Sequence, residues 1–228
     1  EEGIQKNNLH TIIAGANREF FNPENLNVWS GNEKLKIVTH HWGTNKNKGY
    51  EIYEYIDDLI SSEPWKDMIE FTFIGNLPKN YNFRNSNIVR PLYGSELGDE
   101  LKKNHLYITG SLFEPSGNHH IEAGQCGLPI LYIKSGGTSE YCDNFGIPYS
   151  INNLKEKIIL FMENSSQYYE NMKTYSNDSK VMSGEFLNLF NFYMKEKKEI
   201  VNKRTIEDIN IVKKLYLILK LKFRNLFK

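Results

Sequence analysis

The sequence has little of three features that mark common protein classes. Two cysteines among 228 residues exclude a disulfide or cysteine-based metal framework and favour a reduced, cytosolic compartment. The formal net charge is zero, which argues against a nucleic-acid binder that uses its whole surface. No run approaches the ~18 apolar residues of a membrane span. The first residues, EEGIQKNNLH, contain no signal-like apolar stretch and are typical of the interior of a longer chain.

The neutral total conceals an uneven distribution of charge. Residues 209–228 carry six cations and no acid, so the preceding 208 residues contain 22 basic and 28 acidic residues, a net charge of minus six. At 100° per residue, the apolar side chains of this tail fall within about 120° of one another, opposite most of its cations. The pattern predicts a helix that lies in an anionic membrane surface; docking on a missing domain is the alternative.

Short apolar runs alternate with segments of helical periodicity. Six runs are predicted as strands: 35–41, 69–75, 87–93, 106–110, 129–133 and 146–150. Helical spacing follows at 48–62 and 95–104, and residues 151–200 are polar and helical with an interruption at 176–180. Strands separated in this way predict parallel βαβ units and an α/β, doubly wound, Rossmann-like sheet, whose ligands bind at the carboxyl ends of the strands.

The densest chemistry lies in FEPSGNHHIEAGQCGLPILYIKSGGTSEYC, residues 113–142. A helix that begins near Gly117 or Asn118 presents unpaired N–H groups, and these attract anions. Gly117 lets a phosphate or sugar approach the backbone closely. Glu114 precedes this helix and Glu122 lies about one turn inside it, so the two carboxylates can contact two parts of one ligand, such as the hexose and ribose of a nucleotide sugar.

Two further segments point to the same cleft. Gly136 and Gly137 follow a predicted strand and form a second loop-to-helix turn, with Glu140 three positions later as a cap or an ion-pair partner. Lys48, in NKNKG after the first strand, is the candidate cation for a diphosphate and is preferred over Lys46. A solvated first-turn lysine is the alternative interpretation of Lys48.

Several motifs in order resemble the retaining GT-B glycosyltransferases of the family 4 type. The resemblance covers about residues 11–150 and rests on Glu114-x7-Glu122, AGQCGLPIL, GGTSEY, KNKGYEIY and the interdomain stretch TIIAGANREFFNP. It implies that Glu114 contacts the transferred sugar and is the catalytic carboxylate, and that Glu122 binds the ribose hydroxyls. It also implies retention of the anomeric configuration, with no metal and no other cofactor.

The resemblance assigns the remaining site residues and the partners. Lys48 holds the diphosphate, and the backbone at Gly117 and Asn118 faces the sugar and β-phosphate. Gly136, Gly137, Thr44 and His119 complete the predicted sugar-donor site. The expected partners are a UDP- or GDP-sugar and a glycan or lipid-linked acceptor, with no nucleic acid. A cytoplasmic protein at the inner face of the cell membrane fits the basic tail.

The chain departs from the family pattern in two ways. The family has an arginine ahead of its Lys-Gly, whereas HHWGTNKNKG offers His41, Trp42 and Thr44. The amino-terminal, acceptor-binding domain is missing. We therefore expect the end of that domain and a linker over 1–30, a nucleotide-sugar-binding domain over 31–192 and a basic amphipathic tail over 193–228. A fragment of this kind is expected to bind the sugar donor but to transfer poorly.

Paired histidines raise the question of a metal. Neighbouring strand side chains point to opposite faces, so His40 and His41 cannot easily share one ion, and no cysteine or carboxylate spacing completes a site. His41 and His119 are candidates for the cleft wall, with packing or solvation as the alternative. Cys126 is expected in the core. The alternative functions are a GT-B sugar-nucleotide 2-epimerase and a non-catalytic module that binds a sugar nucleotide.

Overall fold

The computed structural model describes residues 10–203. Its helices and strands follow in chain order: β1 Leu35–His41, α1 Tyr50–Leu59, α2 Trp65–Met68, β2 Ile69–Gly75, β3 Asn87–Val89, α3 Gly94–Lys102, β4 Leu106–Thr109, α4 Asn118–Gln125, β5 Ile130–Tyr132, α5 Thr138–Cys142, β6 Gly146–Pro148, α6 Leu154–Met172, α7 Ser179–Lys195 and α8 Lys197–Lys203. Residues 10–184 belong to one compact unit, and residues 185–203 belong to a second, which is helical.

The six strands form one parallel sheet in the order β3-β2-β1-β4-β5-β6. This confirms the predicted doubly wound, Rossmann-like fold. The chain leaves β1 towards β2 and returns on the other side of β1 at β4. The strand order therefore reverses between β1 and β4, and a crevice opens at their carboxyl ends, where ligands of such sheets bind.

The two faces of the sheet are covered by separate apolar clusters. On β1, Leu35 and Ile37 belong to a cluster that includes Tyr53 of α1, whereas Val38 belongs to a cluster that includes Ile121 of α4. Side chains alternate along a strand, so His41 follows the first face and His40 the second. The predicted separation of these two histidines is therefore observed.

Most strands and helices are shorter than predicted by one to five residues, and three of the differences are instructive. Strand β3 ends at Val89 and not at residue 93, because Pro91 cannot donate a ladder hydrogen bond. Helix α1 begins at Tyr50, because Lys46–Lys48 form a separate 3-10 turn that Gly49 ends in the left-handed conformation. The helices are interrupted at 173–178 and not at 176–180, since α6 ends at Met172 and α7 begins at Ser179.

No helix within residues 10–203 has the length and apolarity needed to cross a membrane. The predicted membrane-binding tail, 209–228, lies outside the described residues.

Cys126 and Cys142 are both buried, as expected for Cys126, and burial raises the pKa of the Cys126 thiol to about 12.

Candidate functional site

A cleft of about 260 Å³ lies at the carboxyl ends of β1 and β4, where the strand order reverses. It is formed by the loop after β1, the loop after β4 and the first turns of α4. Its lining residues are His40, His41, Trp42, Gly43, Lys48, Glu114, Ser116, Gly117, Asn118, His119 and Glu122. The sheet topology thus brings together side chains from segments more than 60 positions apart.

Gly49 and Gly110 allow the loop after β1 to pack closely against the end of β4. Gly49 has φ +79°, and a Cβ there would lie 2.2 Å from the carbonyl oxygen of Gly110. A side chain at this position would therefore clash with backbone atoms, which cannot rotate away. The glycine contact brings the 3-10 turn of Lys48 against the end of β4, and Lys48 lines the cleft.

Lys48 and Glu114 form an ion pair across the cleft. The Lys48 Nζ lies 2.6 Å from Glu114 Oε2, with the two side chains 28% and 12% exposed. The pairing compensates for the partial burial of both charges. It also leaves the lysine accessible enough to exchange its carboxylate partner for an incoming phosphate.

The loop that carries Glu114 is hydrogen-bonded to both neighbouring loops. The Leu112 N–H donates to the Asn47 carbonyl oxygen at 2.7 Å, and the Gly137 N–H donates to the Glu114 carbonyl oxygen at 2.7 Å. Glu114 and Gly136 form a parallel β-bridge, and Gly136 adopts φ +66° beside the Glu114 backbone. The second glycine pair therefore fixes the Glu114 backbone.

Helix α4 begins at Asn118, as predicted, with Gly117 as its N-cap. No side chain caps it, so its first N–H groups have no partner inside the helix and can attract an anion. A Cβ on Gly117 would lie 2.5 Å from His119 Cε1 and 2.8 Å from Glu114 Cγ. The absence of a side chain at Gly117 therefore leaves space for the side chains of His119 and Glu114.

Glu122 lies on α4 and is held by His40 on β1. The His40 Nε2 lies 2.9 Å from Glu122 Oε2, and the two side chains are 1% and 20% exposed. The ring of His40 packs edge-on against Tyr107, at 5.5 Å between centroids. Glu122 therefore faces the cleft in an orientation set by a buried partner.

The remaining histidines of the cleft wall, His41 and His119, are buried and contact hydroxyl groups. The Tyr53 hydroxyl accepts from the Gly110 N–H at 2.9 Å and lies 2.6 Å from His41 Nε2, within hydrogen-bond distance. His119 Nε2 lies 2.9 Å from the Thr109 hydroxyl. Burial lowers the pKa of His41 and of His119 well below the usual histidine value, and the neighbouring histidines add to the effect.

The amino-acid sequence matches a known protein family over residues 67–179, and that family is described as Glycosyl transferases group 1. The match covers just under half of the chain, and these residues are therefore similar to the group 1 glycosyltransferases. Glu114, Glu122 and the glycine pair lie within the matched residues, whereas Lys48 and the histidines of β1 precede them. A comparison with curated protein sequences gave no match.

Solved structures share the fold of this chain. Sucrose-phosphate synthase from Thermosynechococcus elongatus is 16% identical, with a TM-score of 0.61 over 81% of this chain and 52% of the synthase. An Anabaena protein, HepE, in complex with UDP-glucose is 15% identical, with a TM-score of 0.60 over 79% of this chain and 56% of HepE. This chain thus spans about half the length of both proteins.

A third structure identifies which half is shared. The carboxyl-terminal domain of a group 1 family glycosyl transferase from Francisella tularensis is 17% identical, with a TM-score of 0.52 over 75% of this chain and 98% of that domain. The fold of this chain is therefore that of the carboxyl-terminal half of a GT-B glycosyltransferase, as predicted.

The fold brings most of the predicted site residues into one cleft. Lys48, Glu114, Gly117, Asn118, His119 and Glu122 all line it. Thr44 is exposed on the loop after β1 and does not line the cleft, and neither do Gly136 and Gly137. Glu140 is exposed on α5. Within residues 10–203, no group of three or more histidine, cysteine or acidic side chains could hold a metal ion.

Two features of the cleft were missed in the sequence. Trp42 lines it and stacks on Tyr93, with ring centroids 4.7 Å apart and planes inclined by 18°, and Tyr93 is 68% exposed. The partnership of His40 with Glu122 was also missed. The aromatic residues could have been flagged by their positions after β1 and after β3, at the ligand-binding edge of the sheet.

Proposed function

We propose that this chain is the nucleotide-sugar-binding half of a retaining glycosyltransferase of the family 4 type. The transferase would move a hexose from a UDP- or GDP-sugar to a glycan or lipid-linked acceptor in surface polysaccharide or glycolipid synthesis. The observation that carries the proposal is the convergence of Lys48, Glu114, Glu122 and the uncapped start of α4 on one cleft. The UDP-glucose bound to the HepE relative makes that compound the first probe.

Each group in the cleft has a chemical role in this proposal. Lys48 and the first N–H groups of α4 bind the diphosphate, because both present positive charge to an anion. Glu114 contacts the transferred sugar, and Glu122 accepts hydrogen bonds from the ribose hydroxyls. Gly136 and Gly137 act indirectly, since the Gly137 N–H already donates to the Glu114 carbonyl oxygen. Thr44 and His119 complete the proposed set.

Transfer breaks the bond between the anomeric carbon and the diphosphate oxygen and forms a bond from that carbon to an acceptor hydroxyl oxygen. Negative charge develops on the departing diphosphate, which takes up the proton of that hydroxyl. Lys48 and the α4 amides lie where they can stabilise that charge, which lowers the barrier without a metal. Lys48 must first leave Glu114, which frees the carboxylate to contact the sugar. Diphosphate binding to Lys48 therefore releases the Glu114 carboxylate, which can then contact the sugar.

The cleft contains little positive charge for a diphosphate. Lys48 is the only lysine or arginine among the residues that line it, and its ammonium is paired with Glu114. Trp42 stands in the segment where the family pattern has an arginine. We therefore propose weak binding of free diphosphates and a large contribution to affinity from the nucleoside and sugar.

A thermal-shift screen of the chain with UDP-, GDP- and ADP-glucose tests the proposal. A ligand that binds only the folded state at 100 times its Kd adds about 2.7 kcal/mol of stability. We expect at least one compound to raise the Tm, and Glu122→Gln to reduce the shift. No shift with any nucleotide sugar at millimolar concentration would reject the proposal.

Labelled sugar donor and a lipid-linked acceptor then separate the possible activities. Labelled acceptor with retained anomeric configuration supports the transferase. A labelled donor that changes into its epimer without acceptor would support the 2-epimerase, and binding without either reaction would support a non-catalytic module. The assay is run on this chain and on the chain with an added acceptor domain, because an isolated half is expected to transfer poorly.

The membrane partner is proposed from the sequence of residues 209–228 alone. Its test compares the chain with a version that lacks those residues, by pelleting with vesicles that contain anionic lipid. Loss of pelleting on deletion is expected, since cations near such a surface contribute about 1 kcal/mol each. Equal pelleting of both chains would remove the membrane role and favour docking of the tail on another domain.

A further inference from the structure

Of the two ring nitrogens of His40, the one that contacts Glu122 has a hydrogen-bond partner among the described residues and the other has none. His40 Nε2 lies 2.9 Å from Glu122 Oε2, and His40 is 1% exposed. Its second ring nitrogen, Nδ1, is buried and has no hydrogen-bond partner among the described residues. Among residues 10–203, the Glu122 carboxylate is thus the one group that the side chain of this buried histidine hydrogen-bonds. Because Oε2 can only accept, Nε2 carries the proton and donates it.

Packing alone does not account for a histidine at this position. A buried nitrogen without a partner costs about 1–3 kcal/mol, and an apolar side chain on β1 would avoid that cost. Unsatisfied buried groups in folded proteins call for an explanation beyond stability. The neighbouring position on the same face of β1, Val38, is apolar and belongs to the core. Along this face of β1, the residue type therefore changes from an apolar core residue to a polar one at the ligand-binding end of the strand.

The surroundings keep the imidazole in one orientation. The backbone N–H of His40 donates to the Tyr107 hydroxyl at 3.3 Å, and the Tyr107 ring packs edge-on against the imidazole. Trp42 and His119 lie against other sides of the ring, with centroids 6.0 and 6.2 Å away. A donor that cannot turn will hold its acceptor in a single rotamer.

We propose that His40 is a positioning residue that orients Glu122 for the ribose of the sugar donor. By holding Oε2, His40 directs the second carboxylate oxygen, Oε1, towards the cleft. Oε1 then accepts from the ribose hydroxyls. This proposal rests on the proposed function, because it requires a nucleotide in the cleft. It makes His40 responsible for the preference of the site for ribose over 2′-deoxyribose.

The test measures Kd by calorimetry for UDP, GDP and ADP, each paired with its 2′-deoxy form. For the base that binds, we expect the wild-type chain to prefer the ribonucleotide by about tenfold or more, the effect of a hydrogen bond to a charged group. His40→Asn should bring this ratio close to one while the affinity for the deoxynucleotide stays within about twofold of wild type. Glu122→Gln should also bring the ratio close to one, and adding His40→Asn to it should cause no further change.

Conservative and control variants distinguish positioning from packing. The amide nitrogen of glutamine lies where Nε2 lies in histidine, so His40→Gln should restore most of the ratio, whereas the shorter asparagine should not. His120→Gln is the control, because His120 is equally buried and lies two positions before Glu122, and neither of its ring nitrogens has a hydrogen-bond partner in the described part of the chain. It should leave the ratio at the wild-type value.

Each outcome has one consequence. If the wild-type chain binds no nucleotide, the proposed function fails, and this inference fails with it. If the wild-type chain binds nucleotide and prefers ribose, but His40→Asn keeps that preference, only the role of His40 is wrong. The same conclusion follows if His40→Asn weakens ribonucleotide and deoxynucleotide equally, because that result indicates a packing effect on the whole cleft.

Discussion

The ammonium of Lys48 lies 2.6 Å from a carboxylate oxygen of Glu114, although 66 positions separate the two residues. The pair connects the loop after β1 to the loop after β4, across the point where the strand order reverses. In the proposed function, these two residues bind different parts of one ligand. The ligand must therefore replace an existing contact, and this competition can be measured.

Removing the two members of this pair should have opposite effects on nucleotide binding. Lys48→Met should weaken UDP about tenfold or more, since it deletes a charge-assisted contact to phosphate. Glu114→Gln should keep or improve UDP affinity, because it frees the lysine, but should abolish transfer. Calorimetry and a labelled-sugar assay provide the two measurements. Lys46→Met, an exposed neighbour in the same turn, should change neither; weaker UDP binding by Glu114→Gln would contradict the scheme.

Gly49→Ala should destabilise the chain by about 3 kcal/mol or more. The added Cβ would lie 2.2 Å from the carbonyl oxygen of Gly110, at a φ of +79° that alanine rarely adopts. Urea unfolding gives the free energy. Gly184→Ala is the control, because nothing lies within 4 Å of the Cβ it would add. A loss below about 1 kcal/mol for Gly49→Ala would show that the two loops can move apart at little cost.

Stability should fall steeply as the pH drops below 6.5. Burial lowers the pKa of His41, His105 and His119 below the usual value of 6.5, and that of His120 to about 4. The unfolded chain then binds protons that the folded chain does not, so acid favours unfolding. Each such histidine contributes up to about 1.4 kcal/mol per pH unit below 6.5, and the contribution of His120 continues down to about pH 4.

Urea unfolding at pH 7.5, 6.5 and 5.5 measures this dependence. We expect little change between the first two values and a marked loss between the last two. His120→Leu should reduce the slope by the share of one proton, because its ring nitrogens have no hydrogen bonds to lose. A free energy of unfolding that is the same at pH 5.5 and 7.5 would show that these histidines titrate normally in the folded chain.

Trp42 should report nucleotide binding by its fluorescence. It lines the cleft and stacks on Tyr93, whereas Trp65 is buried in the core and Trp29 packs against that core. A nucleotide in the cleft changes the surroundings of Trp42 alone, so emission should change with the Kd found by calorimetry. Trp42→Phe should lose the signal and still bind, and Trp29→Phe should keep it. An unchanged signal in Trp42→Phe would place the ligand elsewhere.

The sequence predicted the sheet and the position of the site well, for local reasons. Strands β1 and β2 have the predicted bounds, because each is a short run rich in apolar and β-branched residues that ends at a recognisable turn. Helix α4 begins at Asn118 because Gly117 and the following periodicity mark its start. Glu114, Glu122 and Lys48 were assigned to one cleft because the carboxyl ends of parallel strands share one edge.

What the sequence could not predict depends on contacts through space. His40 and Glu122 are 82 positions apart, and nothing in their spacing shows that one holds the other. The pairing of Lys48 with Glu114 and the stacking of Trp42 on Tyr93 are of the same kind. Such contacts depend on the twist of the sheet and on side-chain rotamers, which no local periodicity encodes. Residues 209–228 lie outside the described structure, so their membrane role stays a prediction.

Main-chain hydrogen bonds join the loop after β4 to the loops that follow β1 and β5. Leu112 is tied to Asn47 on one side, and Glu114 is tied to Gly137 on the other, through main-chain atoms. A graft that replaces the Glu114 loop alone with that of another transferase would break both ties unless its backbone followed the same path. If the proposed function holds, an exchange of sugar-donor preference between relatives should therefore succeed when segments 43–49, 110–117 and 134–138 are replaced together.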